Sequence, residues 1–198
     1  KKISGLKGII LSGGAASVYD HDSPKCSKGI LELGVPVLGI CYGHQLIAHL
    51  KGGEVKAGNF GEYSTTDISV IKSDNLLKGL ESCEPVWMNH RDVVASMPEN
   101  YAVTARTASS PVAAFENKDD NLYGVQFHPE VSHTRKGDVI LRNFIFNICK
   151  AEKHWNVEDT TQKLIDETKK YIGDKKAVIA LSGGVDSSVA ATIASKAI

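Results

Sequence analysis

The sequence predicts an α/β protein with an open mixed, mainly parallel sheet and flanking helices. Two short apolar runs, residues 7–11 (KGIIL) and 35–40 (VPVLGI), carry β-branched side chains and stop at glycine turns, as strands buried on both faces do. Helical periodicity starts directly after the second run, where Leu46, Ile47 and Leu50 share one face. A short helix over residues 26–33, closed by Gly34, lies between the runs and gives the chain a β-loop-α-β opening.

The later elements follow from the same periods. Gly52 and Gly53 stop the helix after Cys41. From residue 68 to 127, runs such as DISVI, EPVWM, YAVTA, PVAAF and LYGVQF are separated by Asn, Asp, Ser, Pro and Gly clusters, the pattern of strands joined by turns. Residues 137–150 return to helix, with Leu141, Phe144, Ile145 and Ile148 on one face, and close the first domain. Asn156 caps a helix over residues 157–172 that has Asp159 in its first turn and Gly173 just past its end. A strand over residues 177–181 then leads through SGGVDSS into the helical run VAATIASKAI. One strand and two helices cannot enclose a core. The expected domains are therefore 1–150, and 151–198 as a linker helix with the N-terminal part of a second α/β domain.

Composition narrows the function classes. Lysine plus arginine and aspartate plus glutamate number 23 each, so bulk charge supplies neither a nucleic-acid surface nor attraction to anionic membrane. No apolar run approaches the roughly 20 residues of a membrane span. The start KKISGLKGII lacks a long apolar signal core, and a cytoplasmic protein is expected. Cys26, Cys41, Cys83 and Cys149 lie far apart with no C-x-x-C pair, which argues for reduced thiols rather than a disulfide framework.

One cysteine stands on a corner. Gly39-Ile40-Cys41-Tyr42-Gly43 has the G-x-S-x-G spacing of a nucleophile elbow with cysteine in place of serine. The strand-to-helix turn lifts the thiol clear of the sheet and sets it at a helix N-terminus, whose partial positive charge favours the thiolate. The Tyr42 amide at this turn can face an oxyanion. A nucleophile needs a base, and YGVQFHPE supplies one at the end of a strand. His128 and Glu130, at i and i+2, would point the same way, so that the carboxylate fixes the imidazole tautomer. Zinc is not assigned here: His128, Glu130 and His133 do not form H-E-x-x-H, and Pro129 excludes the helix that motif needs.

A second site lies near the C-terminus. In SGGVDSS, small residues between a strand and a helix form a nest whose N–H groups, with the hydroxyls of Ser182, Ser187 and Ser188, can hold phosphate oxygens. No Gly-Lys-Ser/Thr follows, so this is not a Walker A loop.

GICYGHQ around Cys41, the LSGG turn after the first strand and YGVQFHPE together resemble the class I (triad) glutamine amidotransferases, whose fold is flavodoxin-like. The resemblance implies that Cys41 attacks the side-chain amide of glutamine, that His128 shuttles the proton and that Glu130 orients it. It also places Gly13, Gly14 and the Tyr42 amide near the oxyanion and Gln45 in the glutamine pocket. SGGVDSS resembles the PP-loop of ATP pyrophosphatases, which implies ATP binding by Ser182, Gly183, Gly184, Val185, Asp186, Ser187 and Ser188, with Asp186 near Mg²⁺. The two in tandem resemble the glutamine-hydrolysing GMP synthetases.

That family adenylylates xanthosine monophosphate and aminates it to GMP with ammonia from the glutaminase. It uses no prosthetic group, and it implies a homodimer formed through residues beyond Ile198. The chain departs from the pattern in two places. The family's first strand and helix, with a motif near D-F-G-x-Q, do not precede Lys1, and the usual S-H-G-D reads Asn89-His90-Arg91-Asp92. Two other readings are a free-standing thiol hydrolase of γ-glutamyl or peptide bonds on the same elbow, and a binding module that keeps the fold without turnover.

Overall fold

The structure, a computed structural model, describes residues 4–153 and 157–198, without the side chain of residue 157. The chain divides into two compact units, Lys1–Ala151 and Glu152–Ile198.

The first unit is built on a seven-stranded mixed sheet. Its strands are β1 (Ile9–Leu11), β2 (Val37–Ile40), β4 (Thr65–Val70), β5 (Cys83–Trp87), β7 (Ala102–Arg106), β8 (Ala114–Asn117) and β9 (Leu122–Val125), in the order β1-β2-β9-β8-β7-β4-β5. β1, β2 and β9 run parallel, and the pairings from β9 outward to β5 are antiparallel. The parallel part carries the elbow: β2 is buried along its whole length and runs directly into α1 (Tyr42–Leu50). A separate antiparallel pair, β3 (Glu54–Glu62) with β6 (His90–Ser96), forms a ribbon with two register shifts.

Successive residues of β2 feed opposite layers, as strand geometry requires. Val37 packs with Ile47, Val94 and Phe115 on one side, and Leu38 packs with Phe127, Ile140 and Phe144 on the other. α1 covers the first face. The second is covered by α2 (Gly137–Arg142) and a π-helical stretch, Asn143–Ile148.

Several elements differ from the sequence reading. The region over 137–150 is not one α-helix: Cys149 N bonds to Phe144 O at 2.8 Å, a five-residue step. The helix of residues 26–33 is a 3₁₀ stretch, Lys28–Glu32, started by Ser27, whose Oγ accepts from Gly29 N. β3 begins well before residue 68, the expected start of the strand-rich region.

In the second unit, α3 (Val157–Ile172) and α4 (Val185–Ala197) pack against each other. Asn156, the expected cap of α3, lies outside the described residues. Gly173 follows α3 at φ 56°, as a helix-stopping glycine should. The strand expected over residues 177–181 does not form. A strand is defined by its ladder, and no described residue pairs with this segment, so Val178 stands 97% exposed. No helix among the described residues is long and apolar enough to cross a membrane.

Candidate active site

The sharp corner between β2 and α1 is set by backbone contacts. Cys41 sits at φ 53°, ψ −105°, a conformation that a non-glycine residue adopts only when its surroundings force it. Its N–H donates to Val125 O at 2.8 Å, and its carbonyl accepts the first helical bond, from Gln45 N at 3.1 Å. Both flanking glycines are dictated by close approach. A Cβ on Gly39 would lie 2.4 Å from Gly43 O, and one on Gly43 would lie 2.1 Å from Leu11 O. The amides of Tyr42, Gly43 and His44 precede the first helical bond, and that of Tyr42 bonds the thiol.

The LSGG turn and the segment after β9 bring the partners. A Cβ on Gly13 would lie 3.1 Å from His128 Cε1 and 3.6 Å from Cys41 Cβ, so Gly13 sits between the two side chains. Gly14 lies against the Tyr42 ring. His128 Nδ1 is 2.7 Å from Glu130 Oε1, and its Nε2 is buried with no hydrogen-bond partner among the described residues. A carboxylate accepts only, so Nδ1 carries a proton, and in the neutral ring Nε2 presents a lone pair. Strand alternation does not create this pair, because β9 ends at Val125. The pair is held by His128 N donating to Trp87 O at 3.0 Å and by Thr134, whose Oγ1 accepts from Trp87 N at 3.0 Å and donates to His128 O.

Cys41 and His128 open on one cleft of about 440 Å³, within the range of small-ligand pockets. Gln45, Tyr63, Asn89, His90, Arg91 and Asp92 also line it. Tyr19 Oη donates to Asp92 Oδ1 at 3.0 Å, and Cys41 Sγ lies 3.8 Å from Asn89 O. Arg91 is exposed at the cleft and His90 is buried.

Burial dominates the thiol's acidity and pushes Cys41 up to about 11, against hydrogen bonds from the Tyr42 amide and Gln126 that favour the thiolate. The helix N-terminus favours the thiolate as expected, but desolvation of the buried thiol outweighs it. Sequence reasoning misses Gln126. It is fully buried and its Nε2 lies 3.8 Å from Cys41 Sγ. The signal available is its place two residues before His128.

The SGGVDSS loop is closed on itself. Ser182 Oγ lies 3.1 Å from Ser187 Oγ and accepts from Gly184 N at 3.4 Å. Ser187 and Ser188 hydroxyls donate to Gly184 O at 3.0 and 2.9 Å, and Gly183 takes φ 82°. The first helical bond of α4 runs from Ser188 N to Gly184 O, leaving the amides of Val185, Asp186 and Ser187 ahead of it. Asp186 is exposed in that first turn. Among the described residues no group of three His, Cys, Asp or Glu is placed to hold a metal.

A cysteine elbow on a mixed sheet, opposite a carboxylate-held histidine, defines an α/β protein with the layout of a thiol amidase. The sequence profile "Glutamine amidotransferase class-I" matches residues 1–148, and the chain belongs to that family. The profile "NAD synthase" matches residues 156–198. The GMP synthase [glutamine-hydrolyzing] of Clostridium perfringens is 50% identical over 192 residues, covering 97% of this chain and 38% of that protein. The same-named protein of Carboxydothermus hydrogenoformans is 50% identical over 191 residues, covering 96% of this chain and 38% of that protein. This chain therefore spans 38% of the length of these curated relatives. Among solved structures, a Thermoplasma acidophilum protein provisionally described as one subunit of a GMP synthase superposes with a TM-score of 0.66 at 34% identity, covering 81% of this chain and 78% of that one. A Thermotoga maritima glutamine amidotransferase shares the fold at TM-score 0.58 and 20% identity, covering 82% and 74% of the two chains.

Proposed function

We propose that residues 1–150 form a glutaminase whose catalytic residues are Cys41, His128 and Glu130, and that it feeds ammonia to a PP-loop domain beginning in residues 151–198. The observation that carries this reading is His128: Nδ1 held by Glu130, Nε2 unpartnered and buried, on the same cleft as an elbow cysteine. His128 Nε2 takes the Sγ proton as sulfur attacks the side-chain carbonyl carbon of glutamine, which explains how a thiol held near 11 reacts at neutral pH. The carbonyl oxygen gains the charge and meets the Tyr42 amide beside the Gly13-Gly14 turn. As the C–N bond breaks, His128 returns the proton to nitrogen and ammonia leaves. Water, deprotonated by His128, then cleaves the thioester to glutamate and free thiol. Gln45 lines the glutamine pocket with its amide nitrogen already engaged by protein acceptors.

In the second unit, the amides at the start of α4 and the hydroxyls of Ser182, Ser187 and Ser188, with the backbone of Gly183, Gly184 and Val185, suit the phosphates of ATP. Asp186 is one exposed carboxylate, which suits Mg²⁺ held mostly by phosphate and water rather than by a protein cage. In the whole protein this domain adenylylates xanthosine monophosphate, and ammonia displaces AMP to give GMP; the relatives' name, GMP synthase [glutamine-hydrolyzing], supports the product and the ammonia source. For the whole protein the family resemblance supports a cytoplasmic homodimer. The test is Cys41→Ala in the full-length protein. Glutamine-dependent GMP formation should vanish while ammonia-dependent formation persists, and loss of both in a folded variant would contradict the division of roles.

A further inference from the structure

Behind the cleft, buried polar side chains connect a carboxylate-imidazole pair to the thiol. Glu62 Oε2, at the end of β3, lies 3.2 Å from His90 Nε2 and accepts from Ser110 Oγ at 2.9 Å. His90 Nδ1 lies 3.0 Å from the Asp92 carbonyl, which only accepts, so this nitrogen carries a proton. The same carbonyl accepts from Gln45 Nε2 at 2.9 Å, which fixes the orientation of that amide. Gln45 Nε2 also reaches Gln126 Oε1 at 3.1 Å. Gln126 is thereby left with its Nε2 toward Cys41 Sγ, at 3.8 Å. Flipping Gln126 would set donor against donor at Gln45 and a carbonyl oxygen against the sulfur.

Gln45 and Gln126 are 3% and 0% exposed, so solvent does not compete for these groups. A hydrogen bond to an ionised acceptor in such surroundings is stronger than one between neutral groups. Burial opposes ionisation of Glu62, yet the His90 imidazole beside it and hydrogen bonds from Ser110 and Thr107 outweigh it and hold the carboxyl below its usual range; His90 Nε2 faces the carboxylate at 3.2 Å as an ion-pair contact, without hydrogen-bond geometry.

We propose that Gln126 is a catalytic residue whose Nε2–H stabilises negative charge on Cys41 Sγ, held in aim through Gln45 and the Asp92 carbonyl by the Glu62–His90 pair as positioning residues. The proposal rests on Cys41 being the nucleophile. The proton leaving sulfur goes to His128, and Gln126 keeps both of its own. The other titratable or charged groups on the cleft of the thiol are His128 on the segment after β9, Tyr63 between β3 and β4, and His90, Arg91 and Asp92 on β6, with Glu130 acting on the thiol through its charge.

The experiment follows Cys41 of the 198-residue chain in two ways: its alkylation rate with iodoacetamide across a pH series, and the ultraviolet absorbance of the thiolate relative to a Cys41→Ala background. Absorbance reads ionisation without regard to access. Gln126→Met should raise the apparent pKa by about one unit, lowering the rate about ten-fold at each pH below it. Gln126→Glu, which keeps the shape and the acceptor for Gln45, should raise it further and serves if the Met variant does not fold. His90→Leu should shift it in the same direction, and by much less when Gln126 is already Met. Titrations of both Gln126 variants that superimpose on the parent would overturn the proposal. So would a His90 effect undiminished in the double variant, which would show that the pair acts by another route. A parent Cys41 that resists alkylation throughout would instead sink the nucleophile assignment, and this proposal with it.

Discussion

Replacing Gly43 by alanine would drive a methyl group into the backbone of β1. The added Cβ would lie 2.1 Å from Leu11 O and 2.7 Å from Leu11 C, where ordinary contact begins at 3.4 Å. The overlap with oxygen is thus 3.4 − 2.1 = 1.3 Å, against backbone that cannot rotate away. β1 is three residues long and, among the described residues, pairs with β2 alone, so relief requires moving β1 off β2 or tilting the start of α1, and the second motion displaces Cys41. Overpacking of this kind costs about 1–3 kcal/mol, and backbone on both sides puts Gly43→Ala at about 3. For a unit of this size that is a fall in Tm of about 6–12 °C. Gly29→Ala is the control, because its Cβ would meet only Ser27 Oγ at 3.5 Å and should leave Tm within about 2 °C. Differential scanning calorimetry of both variants decides it. A Gly43→Ala protein that melts with the parent would refute the claim that close approach, rather than chance, fixes this glycine.

Thr134→Val keeps the shape but removes both hydroxyl bonds by which Thr134 bridges Trp87 of β5 and the His128 carbonyl, leaving the His128 N–Trp87 O bond; it should cost about 1–2 kcal/mol by urea unfolding and lower glutaminase turnover about ten-fold, with Thr134→Ser restoring both. Stability should also fall in alkali. Burial raises Cys41 and Cys149 to about 11 and Tyr101 to about 12 in the fold, so the stabilisation is full below the unfolded-state values and is lost as pH climbs through the folded ones. The urea midpoint should hold between about pH 7 and 8 and drop between about 9 and 11, less steeply in Cys149→Ala.

The parts of the site that are local in sequence were legible. The G-x-C-x-G frame announces its own geometry because both glycines answer contacts within a few residues or with the neighbouring strand. His128 and Glu130 were legible as a pair, although a turn rather than strand alternation joins them. What was not legible depends on distant pairing. β3 reads poorly because EVKAGNFGE has two glycines and no clean alternation, and its register with β6 places Glu62 opposite His90. The route from that pair through Asp92 and Gln45 to Gln126 joins residues far apart in the chain, and no spacing rule marks it. The 177–181 run carries a strand's composition, but composition does not supply a ladder partner.

The most direct test of the account is to treat the chain with a glutamine analogue bearing an electrophile at its side-chain carbonyl, and to map the adduct by peptide mass spectrometry. Label should fall on Cys41, suppressed by excess glutamine and absent in Cys41→Ala, with Cys26, Cys83 and Cys149 unmodified. Label spread over the other cysteines, or indifferent to glutamine, would contradict it.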